Sequence, residues 1–203
     1  TSLATLQKVD IGLNGYLIAG DTPPNINENR QKIDAIGFAY GGDTFEGNMQ
    51  EIIIYNTDQS LNKIGIETNM GNNYNLNIFP VVTGGLLSEY PGASAAYSLR
   101  GLLEFSTGYD INVVRVRRSS DNKERNFNAT QITDGTLTTF TGINDGFVVT
   151  WYDQSDNSNH ASQATAAKQA MLVENGVVNL YNGKPSINFE RSLAQKYDLS
   201  SDI

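Results

Sequence analysis

The sequence predicts an all-β domain with one or two short helices. Charged residues make up only 18% of the chain, while Gly, Asn, Ser and Thr are abundant, as in β proteins rich in tight turns. Hydrophobic residues reach 39%, which is enough to form a core. The pair Asn175–Gly176 separates the apolar runs Met171–Glu174 and Val177–Leu180, and Asn-Gly between such runs is a strong hairpin signal.

The first third of the chain predicts three strands. Val9 to Ala19 and Ile33 to Tyr40 are predicted as strands on either side of an exposed loop that contains Pro23–Pro24. Glu51 to Tyr55 reads EIIIY, a compact β-branched run typical of a buried strand.

A short helix is predicted to follow this third strand. Ser60 is its expected N-cap, and the helix continues to about Met70, where Gly71 and Asn72 end it. The side chains expected to face the sheet are those of Leu61, Ile64 and Thr68.

Residues 78–92 are predicted to be a linker, because Pro and Gly recur there. We expect the linker to pack against the protein, since Val81, Val82, Leu86 and Leu87 are apolar. Ala93 to Leu103 is then predicted as a short helix with Ala96, Leu99 and Leu103 on one side.

Two strands are predicted in the second half. Asn112 to Arg118 alternates, with Val114 and Val116 on one face and Arg115 and Arg117 on the other. Phe147 to Tyr152 is apolar on both faces and is predicted to be central. Alternation would place Phe147, Val149 and Trp151 on one face, and Val148, Thr150 and Tyr152 on the other. We expect Trp151 and Tyr152 to pack in the core rather than to stack on a sugar.

A second turn is predicted at Asn182–Gly183, before a strand from Pro185 to Phe189.

The phrases VRVRRSSDN (114–122) and GFVVTWYDQSDNSNHASQ (146–163) are too particular for a generic strand pattern. They resemble a concanavalin-like β-sandwich module of phage structural proteins and bacterial surface proteins. They are also similar to the opening of the catalytic domain of α-L-arabinofuranosidase B. The resemblance covers Ala93–Leu199 closely and the first third more loosely. It implies a concanavalin-like jelly-roll β-sandwich.

The order of these segments predicts three parts. The segment EIIIYNTDQSL (51–61) and the helix after it resemble the closing end of a laminin-G-like sandwich. Residues 1–77 are therefore expected to form the C-terminal part of one sandwich, 78–92 a linker, and 93–203 the N-terminal part of a second or permuted one. A half-sandwich leaves unpaired edges. We therefore expect a segment of a longer polypeptide, in which the halves pack intimately or residues outside this chain complete them.

Charge and composition exclude several partners. The net charge is −8, and the only local basic cluster is Arg115, Arg117 and Arg118, so no nucleic-acid partner is expected. The chain has no cysteine, which excludes disulfides and thiolate metal sites. No apolar run approaches the roughly 20 residues that a membrane span requires, so no membrane insertion is expected.

The polar stretch from Asp153 to His160 follows the predicted central strand. Its oxygen ligands could hold Ca²⁺, with Asp153, Asp156 and Asn157 as the candidate ligands, and no other cofactor is expected. The favoured interpretation is instead a turn held by hydrogen bonds from its Asn and Asp side chains. His160 is the single histidine, so a His-based metal site or a Ser–His triad is not expected.

Five side chains are candidates for contact with a ligand. Arginine binds carboxylates and hydroxyls with paired donors, and tyrosines near turns can contact sugar rings. The candidate residues are Arg115, Arg117, Asp121, Asp153 and Tyr181. The favoured alternative is that the arginines form salt bridges with nearby acids and fix the sheet.

The resemblance implies two rival functions, binding and glycoside hydrolysis. We expect a non-catalytic glycan-binding or architectural segment of a larger extracellular protein on a virion or bacterial surface, such as a phage fibre, tail or decoration protein. Its partners would be neighbouring subunits or tandem domains, and cell-surface glycan. A bacterial adhesin module is one alternative. A fragment of an arabinofuranosidase-like hydrolase is another, but no spacing selects a pair of carboxylates, and the cysteines of fungal members are absent.

Overall fold

The computed structural model describes residues 9–13, 16–21, 35–36, 45–55, 57, 59, 61–74, 85–103 and 111–201. Within these ranges the chain consists mostly of antiparallel strands, joined by short helices. The predicted all-β class is confirmed. The described part holds four α-helices, more than the one or two that the sequence predicted.

The described residues before position 100 form six strands and two helices. These are β1 (Val9–Leu13), β2 (Tyr16–Asp21), β3 (Ala35–Ile36), β4 (Gly47–Met49), β5 (Glu51–Tyr55), α1 (Lys63–Asn73), α2 (Leu86–Glu89) and β6 (Ala93–Ser98). Because β1 and β2 pair as an antiparallel hairpin, the single strand predicted from Val9 to Ala19 is wrong. The sequence carries a further Asn-Gly pair at 14–15, the kind of dipeptide that reverses a chain. Most of the strand predicted at Ile33–Tyr40 lies outside the described residues.

The remaining described chain is almost continuous. It forms β7 (Asn112–Arg118), β8 (Glu124–Asn128), α3 (Ala129–Thr133), α4 (Thr136–Thr141), β9 (Gly146–Trp151), β10 (Ala161–Ser162), β11 (Met171–Glu174), β12 (Val177–Val178), β13 (Leu180–Tyr181), β14 (Lys184–Pro185), β15 (Ile187–Phe189) and β16 (Tyr197–Leu199). Single 3₁₀ turns occur at Ala166–Lys168 and Arg191–Leu193. None of the helices in the described ranges is long and apolar enough to span a bilayer.

Strand β9 is the centre of the largest sheet, as its apolar sequence predicted. One edge of β9 pairs with β7, which pairs in turn with β8. Its other edge is shared, since β10 pairs near Trp151 and β11 pairs near Gly146. From β10 the sheet continues through β16 to β3, and from β11 through β15 to β4.

A β-bulge in β9 changes which side chains face the core. Val116 pairs with Val148 and Arg115 with Thr150, so Val149 is the extra residue on β9. Strict alternation placed Val148 and Trp151 on opposite faces, but both are fully buried in the same core cluster. The predicted assignment of β9 side chains to the two faces of the sheet is therefore wrong for the residues after Val149. The predicted burial of Trp151 is confirmed.

Strand β6 replaces the helix predicted at Ala93–Leu103, which is wrong. It pairs antiparallel with β5 along its whole length. All six of its side chains are buried, because it lies between two clusters. Ala95 and Tyr97 belong to the main core, while Ala93 and Ala96 belong to a second cluster with Leu86. Small side chains allow a strand to be covered closely on both faces.

Helices α1 and α2 cover this second cluster. Helix α1 continues through Asn73, so the predicted stop at Gly71 and Asn72 is wrong. Leu61 is 100% exposed rather than directed inward, whereas Thr68 is buried as predicted. The N-cap of α1 is Asn62, so the predicted N-cap at Ser60 is wrong. The side chain of Ile64 lies outside the described residues. Leu86 and Leu87 are buried, which confirms that this end of the predicted linker packs, and Val81 and Val82 are outside the described ranges.

Strand pairing joins segments on both sides of the predicted linker at 78–92. Strand β5 pairs with β6, β4 pairs with β15, and β3 pairs with β16. These pairs are the contacts expected if the two halves pack intimately. The predicted division at 1–77, 78–92 and 93–203 stays a prediction.

Two hairpins follow the predicted turns. Asn175 and Gly176 have φ values of 49° and 80°, and the two residues close the loop between Glu174 and Val177. Asn182 and Gly183 have φ values of 49° and 73° and join β13 to β14. Positive φ at both positions is the geometry for which Asn-Gly is selected.

Candidate functional site

The turn that follows β9 is fastened to β6 by the carboxylate of Asp153. Its Oδ1 accepts hydrogen bonds from the backbone N–H groups of Ala96 and Ser155, both at 2.8 Å. Its Oδ2 accepts from the Ser155 hydroxyl at 2.7 Å and from the Asn159 N–H at 2.8 Å. Asp153 is buried, and each of its two carboxylate oxygens accepts two hydrogen bonds. Hydrogen bonds to a charged acceptor are roughly twice as strong as neutral ones.

Gln154 extends this attachment to the chain after β6. Its backbone N–H donates to the carbonyl of Ala96 at 2.8 Å. Its side-chain oxygen accepts from the N–H of Leu102 at 2.9 Å, and its Nε2 donates to the carbonyls of Ser98 and Arg100 at 3.0 and 2.9 Å. The buried amide thus fixes residues 98–102 beside the turn.

Two asparagines complete the turn. Asn157 Nδ2 donates to the carbonyls of Ala93 and Ser94 at 3.0 and 3.2 Å, and Asn159 Nδ2 donates to the Ser94 carbonyl at 3.2 Å. The Tyr97 hydroxyl donates to the carbonyl of Asn159. Burial and the nearby Asp153 raise the pKa of Tyr97 above its ordinary range, so the phenol stays a donor. The turn therefore has the hydrogen-bonded Asn- and Asp-rich structure that the sequence favoured.

An open groove of about 500 Å³ lies between this turn, the start of β6 and the chain after it. Part of its lining is aliphatic, and we call this part the aliphatic wall; it consists of Leu87, Pro91, Ala93 and Leu103. The rest is mainly polar, and we call it the polar wall; it includes Ser94, Ser155, Asp156, Asn157 and Asn159. The volume lies within the range of small-molecule sites, about 300–1,000 Å³. We call this feature the groove.

Two acceptors that line the groove have no hydrogen-bond partner among the described residues. A third oxygen, the Ser94 hydroxyl, also has no partner among them, but it is buried from solvent. The carboxylate of Asp156 and the amide oxygen of Asn157 accept no hydrogen bond from any described residue. Asp156 is also the one charged side chain among the described residues that line the groove. The groove therefore has uncommitted acceptors beside an aliphatic wall.

The predicted calcium ligands separate into two kinds. Asp156 and Asn157 line the groove, while Asp153 lies behind it with both oxygens occupied by donors. Within the described ranges, no group of three or more His, Asp or Glu side chains is arranged to hold a metal ion. A cation bound by Asp153 would have to displace the donors that hold the turn.

The predicted ligand residues of VRVRRSSD lie elsewhere and have partners of their own. Arg115 Nε is 2.6 Å from Glu124 Oε2. Arg117 donates to Gln169 Oε1 at 2.7 Å, and its guanidinium lies 5.0 Å from the centroid of the Phe147 ring. The salt-bridge interpretation therefore fits Arg115, although its partner is Glu124 rather than Asp121 or Asp153. The partners of Arg117 among the described residues are polar and aromatic but not acidic.

Asp121 pairs with Arg118 rather than with either of those arginines. Arg118 donates to both of its carboxylate oxygens, at 2.9 and 2.7 Å. These bonds hold the pKa of Asp121 well below its usual range, and the Lys123 N–H and ammonium add to the effect. Tyr181, the last predicted ligand residue, lies half-exposed on β13 and is not among the residues that line the groove.

Sequence reasoning missed the residues that complete the groove. Ser94 and Leu103 were assigned to a helix, and Leu87 to a linker. No local sequence pattern marks these residues as part of a groove. They come to the turn because β6 pairs with β5 on one edge and with Asp153 on the other. Asp156 and Asn157 were predicted as calcium ligands, because oxygen-rich side chains are dense there, and not as part of a groove.

Comparisons with known proteins found no matching family model, no matching curated protein and no matching solved structure. The concanavalin-like resemblance therefore stays an expectation. The functional argument rests on the geometry of the groove.

Proposed function

We propose that the chain is a non-catalytic glycan-binding module and that the groove is its binding site. One observation carries the proposal, namely two acceptors without a donor among the described residues, Asp156 and Asn157, in a groove that is also lined by aliphatic side chains. A sugar presents hydroxyl donors around an apolar C–H surface. Such a ligand can form hydrogen bonds with the polar wall and apolar contacts with the aliphatic wall. Small-molecule sites generally combine an apolar lining with a few well-placed polar groups.

The architecture we propose is the concanavalin-like jelly-roll sandwich that the resemblance implies. Support comes from the packing of β6 against the large sheet. Ala95 and Tyr97 of β6 share a core cluster with Val148 and Trp151 of β9, and the rings of Tyr97 and Trp151 are 5.9 Å apart. Two β layers around one core is the arrangement of a sandwich.

The number of carboxylates that line the groove favours binding over hydrolysis. Glycosidases of the common mechanisms use two carboxyl groups about 5–10 Å apart across the sugar. Among the described residues that line the groove, Asp156 is the one with a carboxylate. The neighbouring carboxylate, Asp153, is buried and accepts four hydrogen bonds, so it is not placed to attack or to donate a proton.

We propose that this module belongs to a larger extracellular assembly on a virion or bacterial surface. Its partners there are neighbouring subunits or tandem domains and a cell-surface glycan. An open groove with few polar groups gives weak binding for each copy. Repetition in an assembly would raise the overall strength through multivalency.

The test is glycan retention by the multimerised chain on an array of neutral and acidic glycans. We expect retention of neutral glycans, and weaker retention by the Leu103→Ala and Asp156→Ala variants. Both side chains are exposed, and Asp156 makes no hydrogen bond or ion pair with any described residue, so both variants should fold normally. Glu174→Gln, an exposed change on the β11–β12 hairpin, is the matched control. Absence of retention, or retention that both groove variants leave unchanged, would contradict the proposal and favour a purely architectural role.

A further inference from the structure

We infer that the groove selects a neutral sugar carrying an N-acetyl group. This inference rests on the proposed function and names the class of sugar that the site takes. It uses three properties of the groove: its charge, the shape of its aliphatic wall and the unequal supply of donors and acceptors.

The charge of the groove disfavours acidic sugars. Asp156 is exposed and forms no ion pair with a described residue, and no Lys, Arg or His is among the described residues that line the groove. The whole chain has a net charge of −8, which adds to the repulsion. A uronate or sialate carboxylate would meet Asp156 without a compensating cation, and like charges at a binding surface are an effective means of discrimination.

The aliphatic wall suits a methyl group better than a flat sugar face. Leu87, Pro91, Ala93 and Leu103 form this wall, and no aromatic ring is among the described residues that line the groove. Stacking of a pyranose ring on an aromatic face is therefore not provided by this lining. Leu103 is 40% exposed, so part of its side chain is free to be covered by a ligand. The acetyl methyl group is the apolar part of a neutral sugar that fits between aliphatic side chains.

The polar wall is rich in acceptors. The Asn157 amide oxygen and the Asp156 carboxylate are both able to accept hydrogen bonds from a ligand. Asn157 Nδ2, by contrast, already donates to the carbonyls of Ala93 and Ser94. The N–H of an acetamido group can donate a hydrogen bond to either of these acceptors. The acetyl methyl group can pack against the aliphatic wall at the same time. One N-acetyl group thus offers a donor to the acceptors and an apolar group to the aliphatic side chains of the groove.

The inference is tested by titrating the full chain with three methyl glycosides, followed by ligand-observed NMR. The probes are the N-acetylglucosaminide, the glucoside and the glucuronide. We expect the N-acetylglucosaminide to bind about fivefold more tightly than the glucoside, the gain from burying one methyl group. The glucuronide should bind most weakly, and Asp156→Asn should reduce that penalty.

Variants separate this inference from the proposed function. Leu103→Ala should lower affinity for the N-acetylglucosaminide more than affinity for the glucoside, and circular dichroism will verify that this exposed-site variant is folded. Equal affinity for the two neutral glycosides, or a preference that Leu103→Ala does not alter, would overturn the N-acetyl assignment and leave glycan binding standing. If none of the three glycosides binds, the N-acetyl assignment fails, and a glycan array without retention then removes the proposed function as well.

Discussion

The carboxylate of Asp153 accepts a hydrogen bond from the backbone N–H of Ala96 at 2.8 Å, which joins the end of β9 to the middle of β6. The same carboxylate receives two N–H groups and one hydroxyl from its own turn. One side chain thereby sets both the shape of the turn and its position against β6. Because the groove lies between these two segments, its form depends on Asp153 although Asp153 does not line it.

Asp153→Asn should lower the free energy of unfolding by about 2–3 kcal/mol, because an amide group replaces one acceptor oxygen and leaves buried donors unsatisfied. Urea denaturation at neutral pH measures the change. Asp156→Asn is the control on the same turn, since Asp156 is exposed and makes no hydrogen bond or ion pair with the part of the chain that the structure describes. It should change stability by no more than about 0.5 kcal/mol. Equal effects of the two substitutions would show that the hydrogen bonds of Asp153 do not hold the turn.

The two Asn-Gly turns should respond differently to alanine. A Cβ on Gly176 would overlap the carbonyl oxygen of Gly142, whereas a Cβ on Gly183 has no atom within 4 Å. Both glycines have positive φ, so Gly183→Ala should cost about 1 kcal/mol from backbone strain alone. Gly176→Ala should cost at least about 2 kcal/mol, since steric overlap is added. Thermal unfolding of the two variants gives the comparison, and a Gly183→Ala effect as large as that of Gly176→Ala would be inconsistent with the packing of this turn.

The ion pair between Arg100 and Glu51 should stabilise the protein more than the exposed pairs do. Arg100 donates to both Glu51 oxygens, at 2.7 and 3.0 Å, and the Glu51 side chain is 1% exposed. Glu51→Gln should lower the free energy of unfolding by about 2–3 kcal/mol, because it leaves a largely buried charge without its partner.

The matched control is Glu124→Gln, which breaks the exposed pair with Arg115. Its effect should stay below about 1 kcal/mol. Chemical denaturation of both variants, with Arg100→Ala to complete a double-mutant cycle, measures the coupling. A coupling energy near zero for Arg100 and Glu51 would refute this prediction.

Asp121 should titrate well below the ordinary aspartate range, because Arg118 donates two hydrogen bonds to its charged form. Since the folded pKa is lowered, the resulting stabilisation is present above the unfolded pKa and is lost as the pH falls towards the folded pKa. NMR titration of the side-chain carboxyl carbons measures this directly. Arg118→Gln should raise the pKa of Asp121 towards its usual range.

Asp134 serves as the internal control for that titration. Its pKa is lowered by hydrogen bonds from Thr136, which do not involve Arg118. The Asp134 midpoint should therefore stay low in the Arg118→Gln protein. An Asp121 midpoint that does not respond to the substitution would rule out Arg118 as the cause of its shift.

Local signals in the sequence were sufficient for part of the fold. The turns at Asn175–Gly176 and Asn182–Gly183 could be predicted, because the positive φ values they need are a property of the dipeptide. The central position of β9 followed from its apolar run. Strand β6 could not be recognised, since its Ala and Ser side chains have no clear period and its burial comes from two clusters made by distant segments. The bulge at Val149 breaks the alternation and has no local signal.

The groove was less predictable than the fold. Asp156 and Asn157 were singled out as calcium ligands, because oxygen-bearing side chains are concentrated after β9, but their place in a groove was not predicted. Ser94 and Leu103 reach the groove only through the pairing of β6, which no local pattern reports. For Arg115 and Arg117, charge alone did not distinguish a ligand site from the partners that the structure gives them, Glu124 and Gln169.

The most direct test of the proposed site is backbone NMR mapping of the isotope-labelled chain during titration with the methyl N-acetylglucosaminide and then the methyl glucoside. The account predicts saturable shifts for at least one of the two, concentrated at Gly92, Ser94, Asp156 and Asn157. Residues of the β7–β8 hairpin, including Arg117, should not move. Shifts confined to that hairpin, or no saturable shifts with either glycoside, would contradict binding of a glycan in the groove.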